Sequence, residues 1–256
     1  MKTLIEYIDE AFRINKDTKV EKYNYHPKTK DELRELIEKL LNERGNDADL
    51  NDIDVSEITD MNNLFKSLDI HNIDISEWDV SKVINADSMF SDCTNFNSDL
   101  SNWDGSNLKY MQYMFYECRN FNSDLSKWDV NNVEDMCSMF YHCHKFNSDL
   151  SKWDVSNVKN TSYMFCECRK FNRDLSKWNV SNVEFTSAMF YDCIKFNSDI
   201  SKWNVSNVLI MRSMFYGCKK FDCDLSNWDV SKVTNMKRMF YNCDNLQKTP
   251  NWYYKE

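Results

Sequence analysis

The sequence predicts an α/β fold, in which a right-handed solenoid carries a parallel β-sheet on one face and short helices on the other. Three observations lead to this prediction. Tryptophan recurs at one fixed interval along the chain, and the apolar residues of each unit change from alternate positions to helix-like steps. The first 49 residues depart from the repeat and carry helical signals of their own. The tryptophans that define the period are Trp78, Trp103, Trp128, Trp153, Trp178, Trp203 and Trp228.

Residues 1–49 are predicted to form a helical N-terminal capping region. Thr29 and Glu32 have the spacing of a capping box, and Gly45 follows the helical pattern as a stop signal. An earlier amphipathic helix is predicted over residues 4–14. Solenoids need a cover over their first open rung, so we expect this region to cap the repeats. The apolar stripe between the two signals is Leu33, Leu36, Ile37, Leu40 and Leu41.

Residues 50–249 are predicted to form eight repeats in one solenoid. In one unit, Leu150, Trp153, Val155 and Val158 follow the pattern L-x-x-W-x-V-x-x-V, which matches the strand-and-turn frame of a leucine-rich repeat. Trp153 and Val155 alternate with Asp154, as a strand with one buried face requires. This part of each unit is therefore predicted to be a short strand.

A helix of about two turns is predicted after each strand. Val158, Thr161, Met164, Phe165 and Cys168 follow one another at three- and four-residue steps, the spacing of one helical face. Side chains suited to a helix N-cap precede this stretch at Asn85, Asp135, Asn160 and Asn235.

The copied residues are expected to contact their own counterparts in the next unit. No single unit can bury a tryptophan and two phenylalanines alone, and stacking closes the core. Parallel strands lie about 4.8 Å apart, so eight units predict a solenoid about 35–40 Å long.

Residues 250–256 are predicted to be a short C-terminal tail. Pro250 and Tyr253 take the leucine and tryptophan places of a ninth strand. The last rung is then either covered by this aromatic tail or available for end-to-end self-association.

Composition argues against several classes of protein. The net charge of −9 disfavours a nucleic-acid binder, which needs clustered excess Lys and Arg. No segment predicts membrane insertion, and the N-terminus lacks the features of a signal peptide. Ten cysteines without an export signal predict reduced thiols and a cytoplasmic location. No Gly-rich phosphate loop or convincing Ser/His/Asp set occurs, so we expect no enzyme and no cofactor.

The repeat "DLSxWDVSNVxxMxxMFxxCxxFN" resembles that of BspA-type leucine-rich-repeat surface proteins, over residues 50–249. The resemblance implies a role in adhesion and partner binding. It also implies a cell-surface location, which differs from the cytoplasmic location that the missing signal peptide predicts.

Two candidate chemical sites have simpler structural interpretations. One cysteine per unit, from Cys93 to Cys243, suggests disulfide exchange or metal capture, or else a small buried core residue. Cys137, Cys166 and Cys223 lie outside this column and are expected to be more exposed. An aspartate before each predicted strand, from Asp49 to Asp224, suggests Ca²⁺ binding or a turn held by its carboxylate.

His142 and His144 flank Cys143 and suggest a zinc site, with Glu117 and Glu167 in the neighbouring columns. The alternative is that Cys143 points into the core with the other cysteines of its column, which leaves no metal site. We predict no metal.

Partner binding is predicted on two surfaces. The outer face of the predicted sheet carries a lysine column (Lys127, Lys152, Lys177 and Lys202) and an aspartate/asparagine column (Asp104, Asp129, Asp154, Asn179 and Asn204). The alternative for this face is an ordinary solvated surface of mixed charge. A basic stripe follows the cysteine column and is either an anionic-partner surface or an ordinary solvated edge; its members are Arg119, Lys145, Arg169, Lys170, Lys195, Lys219 and Lys220.

The predicted function is a non-enzymatic repeat scaffold that binds a protein or polysaccharide partner through an extended solenoid face. The alternative is a structural module that self-associates through its C-terminal end.

Overall fold

The computed structural model describes residues 22–254, and within them the predicted α/β architecture is wrong. One helix, α1 (Lys30–Arg44), is present there, and no β-strand or sheet forms. Consecutive units meet through isolated parallel bridges, such as that between Asn85 and Tyr110. The short helices predicted in each unit are absent from this part of the chain. The helix predicted over residues 4–14 lies outside the described residues.

The chain from residue 50 onward winds into coils that lie on one another, one coil for each sequence repeat, and the predicted side-chain ladders are confirmed. Phe65 stacks on Phe90 with ring centroids 5.1 Å apart, and this column continues through Phe240 at up to 5.7 Å. A second phenylalanine column runs from Phe96 to Phe221. Stacked tryptophans such as Trp78 and Trp103 lie 6.4 Å apart.

Two tight turns replace the predicted strand in each coil. The Trp153 amide donates to the Leu150 carbonyl at 3.1 Å, and the Val158 amide donates to the Val155 carbonyl at 3.0 Å. The predicted burial is nevertheless correct, because Trp153 and Val155 are buried and Asp154 is exposed. Alternating burial therefore arises here from a chain of turns, which present side chains to the core as a strand would.

Left-handed backbone at two places in each coil explains why the predicted helices do not form. Their φ angles lie between 51° at Ala188 and 72° at Gly217, and a left-handed residue interrupts the bonding of an α-helix. The Cys118 amide instead donates to the Phe115 carbonyl at 3.1 Å, while the Phe115 amide donates to Met139 of the next coil at 2.9 Å. The left-handed residues fall into two columns: Asn63, Ser88, Tyr113, Ser138, Tyr163, Ala188, Ser213 and Arg238, and Ser67, Asp92, Glu117, His142, Glu167, Asp192, Gly217 and Asn242.

The ends of α1 follow the sequence signals. The Thr29 hydroxyl accepts from the Glu32 amide at 3.2 Å, and the Glu32 carboxylate accepts from the Lys28 amide at 2.7 Å. At the other end Gly45 has a φ of 88°, and its amide donates to the Leu41 carbonyl at 2.8 Å. The buried face of α1 consists of Leu33, Ile37 and Leu40.

Arg34 joins α1 to the first coil. Its Nη1 donates to the Leu64 carbonyl at 2.7 Å. In the next coil the equivalent carbonyl, that of Met89, accepts from the Phe65 amide at 2.8 Å. Within residues 22–254 it is α1, and not another coil, that lies against this carbonyl, so the guanidinium supplies the donor that a preceding coil would supply.

The C-terminal tail covers the aromatic side chains of the last coil. Trp252 stacks on Trp228 with ring centroids 6.4 Å apart, and its Nε1 donates to the Leu225 carbonyl at 3.0 Å. Tyr253 meets Phe240 edge to face at 5.0 Å. The predicted equivalence of Tyr253 to the repeat tryptophans holds for its backbone, whose amide donates to Pro250, but Trp252 supplies the stacked ring.

Candidate functional site

The cysteine column belongs to the core. Cys143 is fully buried, and its Sγ donates to the Phe115 carbonyl at 3.0 Å, a bond repeated from coil to coil. All ten cysteines are free thiols, so no disulfide bond connects the cysteines of the column. Burial raises the pKa of the Cys143 thiol far above its ordinary value, which keeps it neutral. The structural interpretation of this column is therefore correct.

The three cysteines outside the column do not behave alike. Cys137 and Cys223 are half-buried, as predicted, but Cys166 is buried with 4% of its surface exposed, so its predicted exposure is wrong. Cys243, at the last rung of the column, is half-buried because no further coil covers it. The half-buried cysteines are thus Cys137, Cys223 and Cys243.

The histidine cluster places imidazole rings beside carboxylates of neighbouring coils. His142 lies between two carboxylates, with Nδ1 2.7 Å from Glu117 Oε1 and Nε2 3.2 Å from Glu167 Oε1. Arg169 also contacts Glu167, at 2.5 Å. Burial is the largest single influence on Glu167 and opposes its ionisation. The hydrogen bond from Arg169, together with the charge interactions with His142, Arg169 and His144, exceeds this effect and lowers the pKa of that carboxyl. Residues 22–254 hold no group of three or more His, Cys, Asp or Glu side chains arranged for a metal.

The aspartate columns hold turns, as the alternative to Ca²⁺ binding predicted. Asp149, which precedes one of the predicted strands, accepts from the Ser151 amide at 3.0 Å. In the predicted partner-binding column, Asp154 accepts from the Ser156 amide at 3.0 Å, and Asn179 does the same for Ser181 at 3.2 Å. The same turn forms at Asp104, Asp129 and Asn204. One oxygen of each of these side chains is therefore occupied by its own backbone.

The predicted lysine column is exposed and lines none of the three concave regions described below. Lys127, Lys152, Lys177 and Lys202 make no ion pair within 4.0 Å in residues 22–254. These side chains therefore project into solvent.

The basic stripe contains paired arginines, a paired lysine (Lys219, 3.0 Å from Asp244) and lysines without an ion pair in residues 22–254. Arg119 binds Glu117 at 3.0 Å and Arg169 binds Glu167, so both guanidinium groups are neutralised in place. Lys145 and Lys170 instead line a groove of about 610 Å³ together with Lys195. Residues 22–254 contain no ion-pair partner within 4.0 Å for any of these three lysines. We call this surface the basic groove, and its remaining lining residues are Asn97, Asn120, Asn122 and Asn147.

An asparagine ladder forms the wall of the basic groove. The Oδ1 of Asn97 accepts from the Asn122 amide at 2.7 Å, and the Oδ1 of Asn122 accepts from the Asn147 amide at 2.7 Å. Each amide oxygen is thus occupied by the next coil, whereas the Nδ2 groups of these side chains have no partner within residues 22–254. The wall therefore offers donors beside the lysine ammonium groups, and no acidic side chain lines the groove.

A family model described as "Mycoplasma protein of unknown function, DUF285" matches residues 33–152 and 134–253. The chain belongs to this family. Because the same family model matches two segments of this DUF285 chain, the match supports a repeat protein. No curated protein and no solved structure matches it.

Sequence reasoning missed a second concave region of this DUF285 chain. A column of alternating charge, Lys109, Glu134, Lys159 and Glu184, separates a groove of about 760 Å³ from a cleft of about 370 Å³. Comparing the same position across successive units would have revealed the alternation. Within residues 22–254, no helix has the length and apolar character needed to cross a bilayer.

Proposed function

We propose that the protein is a non-enzymatic repeat scaffold that binds an elongated anionic partner along the basic groove. The observation that carries this proposal is that Lys145, Lys170 and Lys195 line one groove with no acidic neighbour. The chain has a net charge of −9, yet the lining of this groove contains only lysine and asparagine side chains.

The stacking of coils explains why these lysines favour such a partner. Successive coils lie about 4.8 Å apart, so the three ammonium groups follow one another along a line. Like charges held near one another repel, and an anionic chain that follows the same line relieves that repulsion. The Nδ2 donors of Asn122 and Asn147 line the same groove and are suited to the polar oxygens of such a chain.

Two further features support binding over catalysis. The ladders place like groups in lines, whereas catalysis needs unlike groups that converge on one point. The repeat motif also resembles that of BspA-type surface proteins, a family implicated in adhesion and partner binding. We extend that role to this chain as part of the proposal.

Charge reversal in the groove tests the proposal against a matched control. The test protein carries Lys145→Glu, Lys170→Glu and Lys195→Glu, and its affinity for fluorescently labelled heparin is measured at low and at physiological salt. Exposed charge pairs contribute about 0.2–1 kcal/mol each, so losing three and adding repulsion predicts a loss of about tenfold or more. Salt should reduce the affinity of the unmodified protein.

The control carries the same change of charge on the lysine column, as Lys127→Glu, Lys152→Glu and Lys177→Glu. Because these side chains lie outside the groove, the control should retain binding within about twofold, a difference of about 0.4 kcal/mol. An equal loss in both triple variants, or no heparin binding by the unmodified protein, would reject the groove. A loss confined to the control would instead identify the lysine column as the binding surface.

A further inference from the structure

One position in the coil varies widely in size. Parallel bridges connect this position from coil to coil, so its side chains form one column: Asp60, Asn85, Tyr110, Asp135, Asn160, Phe185, Ile210 and Asn235. Two aromatic residues stand in this column, and two shorter polar residues lie between them. The two shorter residues between the two aromatic ones line a concave surface.

We call this surface the aromatic cleft. Tyr110 lies at one end, Phe185 at the other, and Asp135 and Asn160 lie between them in a volume of about 370 Å³. Tyr110 is 50% exposed, and Phe185 is half-buried. Three coil intervals separate the two rings, which sets a length of about 14 Å along the stack. The cleft is therefore closed at both ends by aromatic side chains.

The floor of the cleft is polar and held in a fixed orientation. Asp135 Oδ1 accepts from the Cys137 amide at 2.7 Å, and its Oδ2 accepts from Asn160 Nδ2 at 3.2 Å. Asn160 Oδ1 in turn accepts from the Ser162 amide at 3.0 Å. Each oxygen retains a second lone pair, and the Asn160 amide retains a second hydrogen. The floor thus offers both acceptors and a donor to a ligand without having to move.

One wall of the cleft has balanced charge. Lys109, Glu134, Lys159 and Glu184 line it in that order, and Lys159 Nζ lies 2.7 Å from Glu134 Oε2. Two cations and two anions cancel, so the wall does not select an anion. The Asp135 carboxylate on the floor adds to the acceptors, which further disfavours an anionic ligand.

We infer that the aromatic cleft binds a short, uncharged oligosaccharide. A sugar ring has apolar C–H faces that pack on aromatic rings, and hydroxyl groups that both donate and accept hydrogen bonds. Tyr110 and Phe185 supply the rings at the two ends, and Asp135 and Asn160 supply the polar groups between them. A wholly apolar ligand would leave the remaining lone pairs of these oxygens and the second hydrogen of the Asn160 amide unused and shielded from water, which disfavours its binding.

The test uses the whole chain on an array of neutral oligosaccharides of glucose, galactose, mannose and N-acetylglucosamine, followed by calorimetric titration of the best binder. Tyr110→Ala and Phe185→Ala should each reduce affinity about tenfold or more, because each removes one stacking surface. Tyr110→Phe keeps the ring and should retain affinity within about threefold. Tyr163→Ala is the control, since Tyr163 is 42% exposed and does not line the cleft.

Several results would overturn the inference. These are an array on which no neutral oligosaccharide binds, binding restricted to acidic sugars, or an equal loss in the Tyr163→Ala control. Filling the cleft with Asn160→Tyr should abolish binding while the aromatic ends remain, and retained binding would likewise reject the site.

This inference stands apart from the basic groove. The variant with Lys145, Lys170 and Lys195 reversed should bind the neutral oligosaccharide normally. Conversely, the Phe185→Ala variant should bind heparin normally. A result that rejects one of the two proposed sites therefore leaves the other proposed site untouched.

Discussion

Replacing Arg34 with methionine tests how the first coil is stabilised. Arg34 Nη1 donates to the Leu64 carbonyl at 2.7 Å, and weaker contacts of 3.3 and 3.4 Å reach the Asn63 and Lys66 carbonyls. Methionine keeps the apolar stem of the side chain and removes every donor. The substitution therefore leaves a carbonyl of the first coil without the partner that its counterparts have in later coils.

The expected loss follows from the main hydrogen bond. A bond to a charged group contributes about 1.5–3 kcal/mol, and the 28% exposure of the Arg34 side chain places the effect near the lower end. The ion pair with Glu38 adds at most about 0.5 kcal/mol. We therefore expect the free energy of unfolding to fall by about 1.5–2 kcal/mol, measured by urea unfolding followed through tryptophan emission.

Lys39→Met is the matched control on the same helix. Lys39 also has an i,i+4 partner, Glu43, but the pair is 3.9 Å apart and the Lys39 side chain is 63% exposed. Its loss should be no more than about 0.5 kcal/mol. Amide exchange in the Arg34→Met variant should accelerate in the first coil, at Phe65, and remain unchanged in a central coil, at Phe165. Equal losses for the two variants, or uniformly faster exchange, would refute the role assigned to Arg34.

Three further predictions concern the interior and the turns. Trp153→Phe should lower the free energy of unfolding by about 2–3 kcal/mol, through one lost hydrogen bond to the Leu125 carbonyl and the buried carbons removed; a loss under about 1 kcal/mol would contradict the bonded ladder. Under native conditions a thiol reagent should modify the three half-buried cysteines before the other seven, which mass spectrometry would show. The raised pKa values of these three thiols should make even their modification slow near neutral pH. Hydrogen bonds from Ser106 and Ser156 hold the pKa values of Asp104 and Asp154 below the ordinary 3.8, so these carboxylates stabilise the fold above that value and lose their effect as the pH falls through the folded pKa. The test replaces both aspartates by asparagine, which the chain already carries at this position in two coils. The urea midpoint of this variant should drop less between about pH 5 and about pH 3 than that of the unmodified protein. An equal drop would argue against these turns as the acid-sensitive groups.

The sequence allowed the contacts between coils to be predicted, but not the backbone that makes them. A strict period places each phenylalanine beside its counterpart, whatever the local conformation. Steps of three and four between apolar residues suit a helix, and they suit equally a series of turns with left-handed residues between them. The residue types did not indicate the left-handed positions, because residues such as Tyr113 and Glu117 occupy them in place of glycine. Gly217 is the one glycine among these positions in residues 22–254.

The candidate sites were predictable to a similar extent. Lys145 and Lys170 were identified as basic residues at one position of the repeat, but the pairing of Arg119 with Glu117 required coordinates. The aromatic cleft was missed because Tyr110 and Phe185 are separated by three repeats in sequence and look like unrelated variation. Their relationship becomes visible only when the residues at one position of the repeat are compared in order.

The coil-to-coil bonding has a consequence for how such a protein changes in length. Every coil ends one rise above its start and presents the next with the same rings and carbonyls, so inserting or deleting one whole unit conserves all the remaining rungs. A change of any other size would misalign every column beyond it. The length of the stack therefore changes in steps of one unit, and a unit added within a surface groove lengthens that groove by one step while the end structures remain as they are.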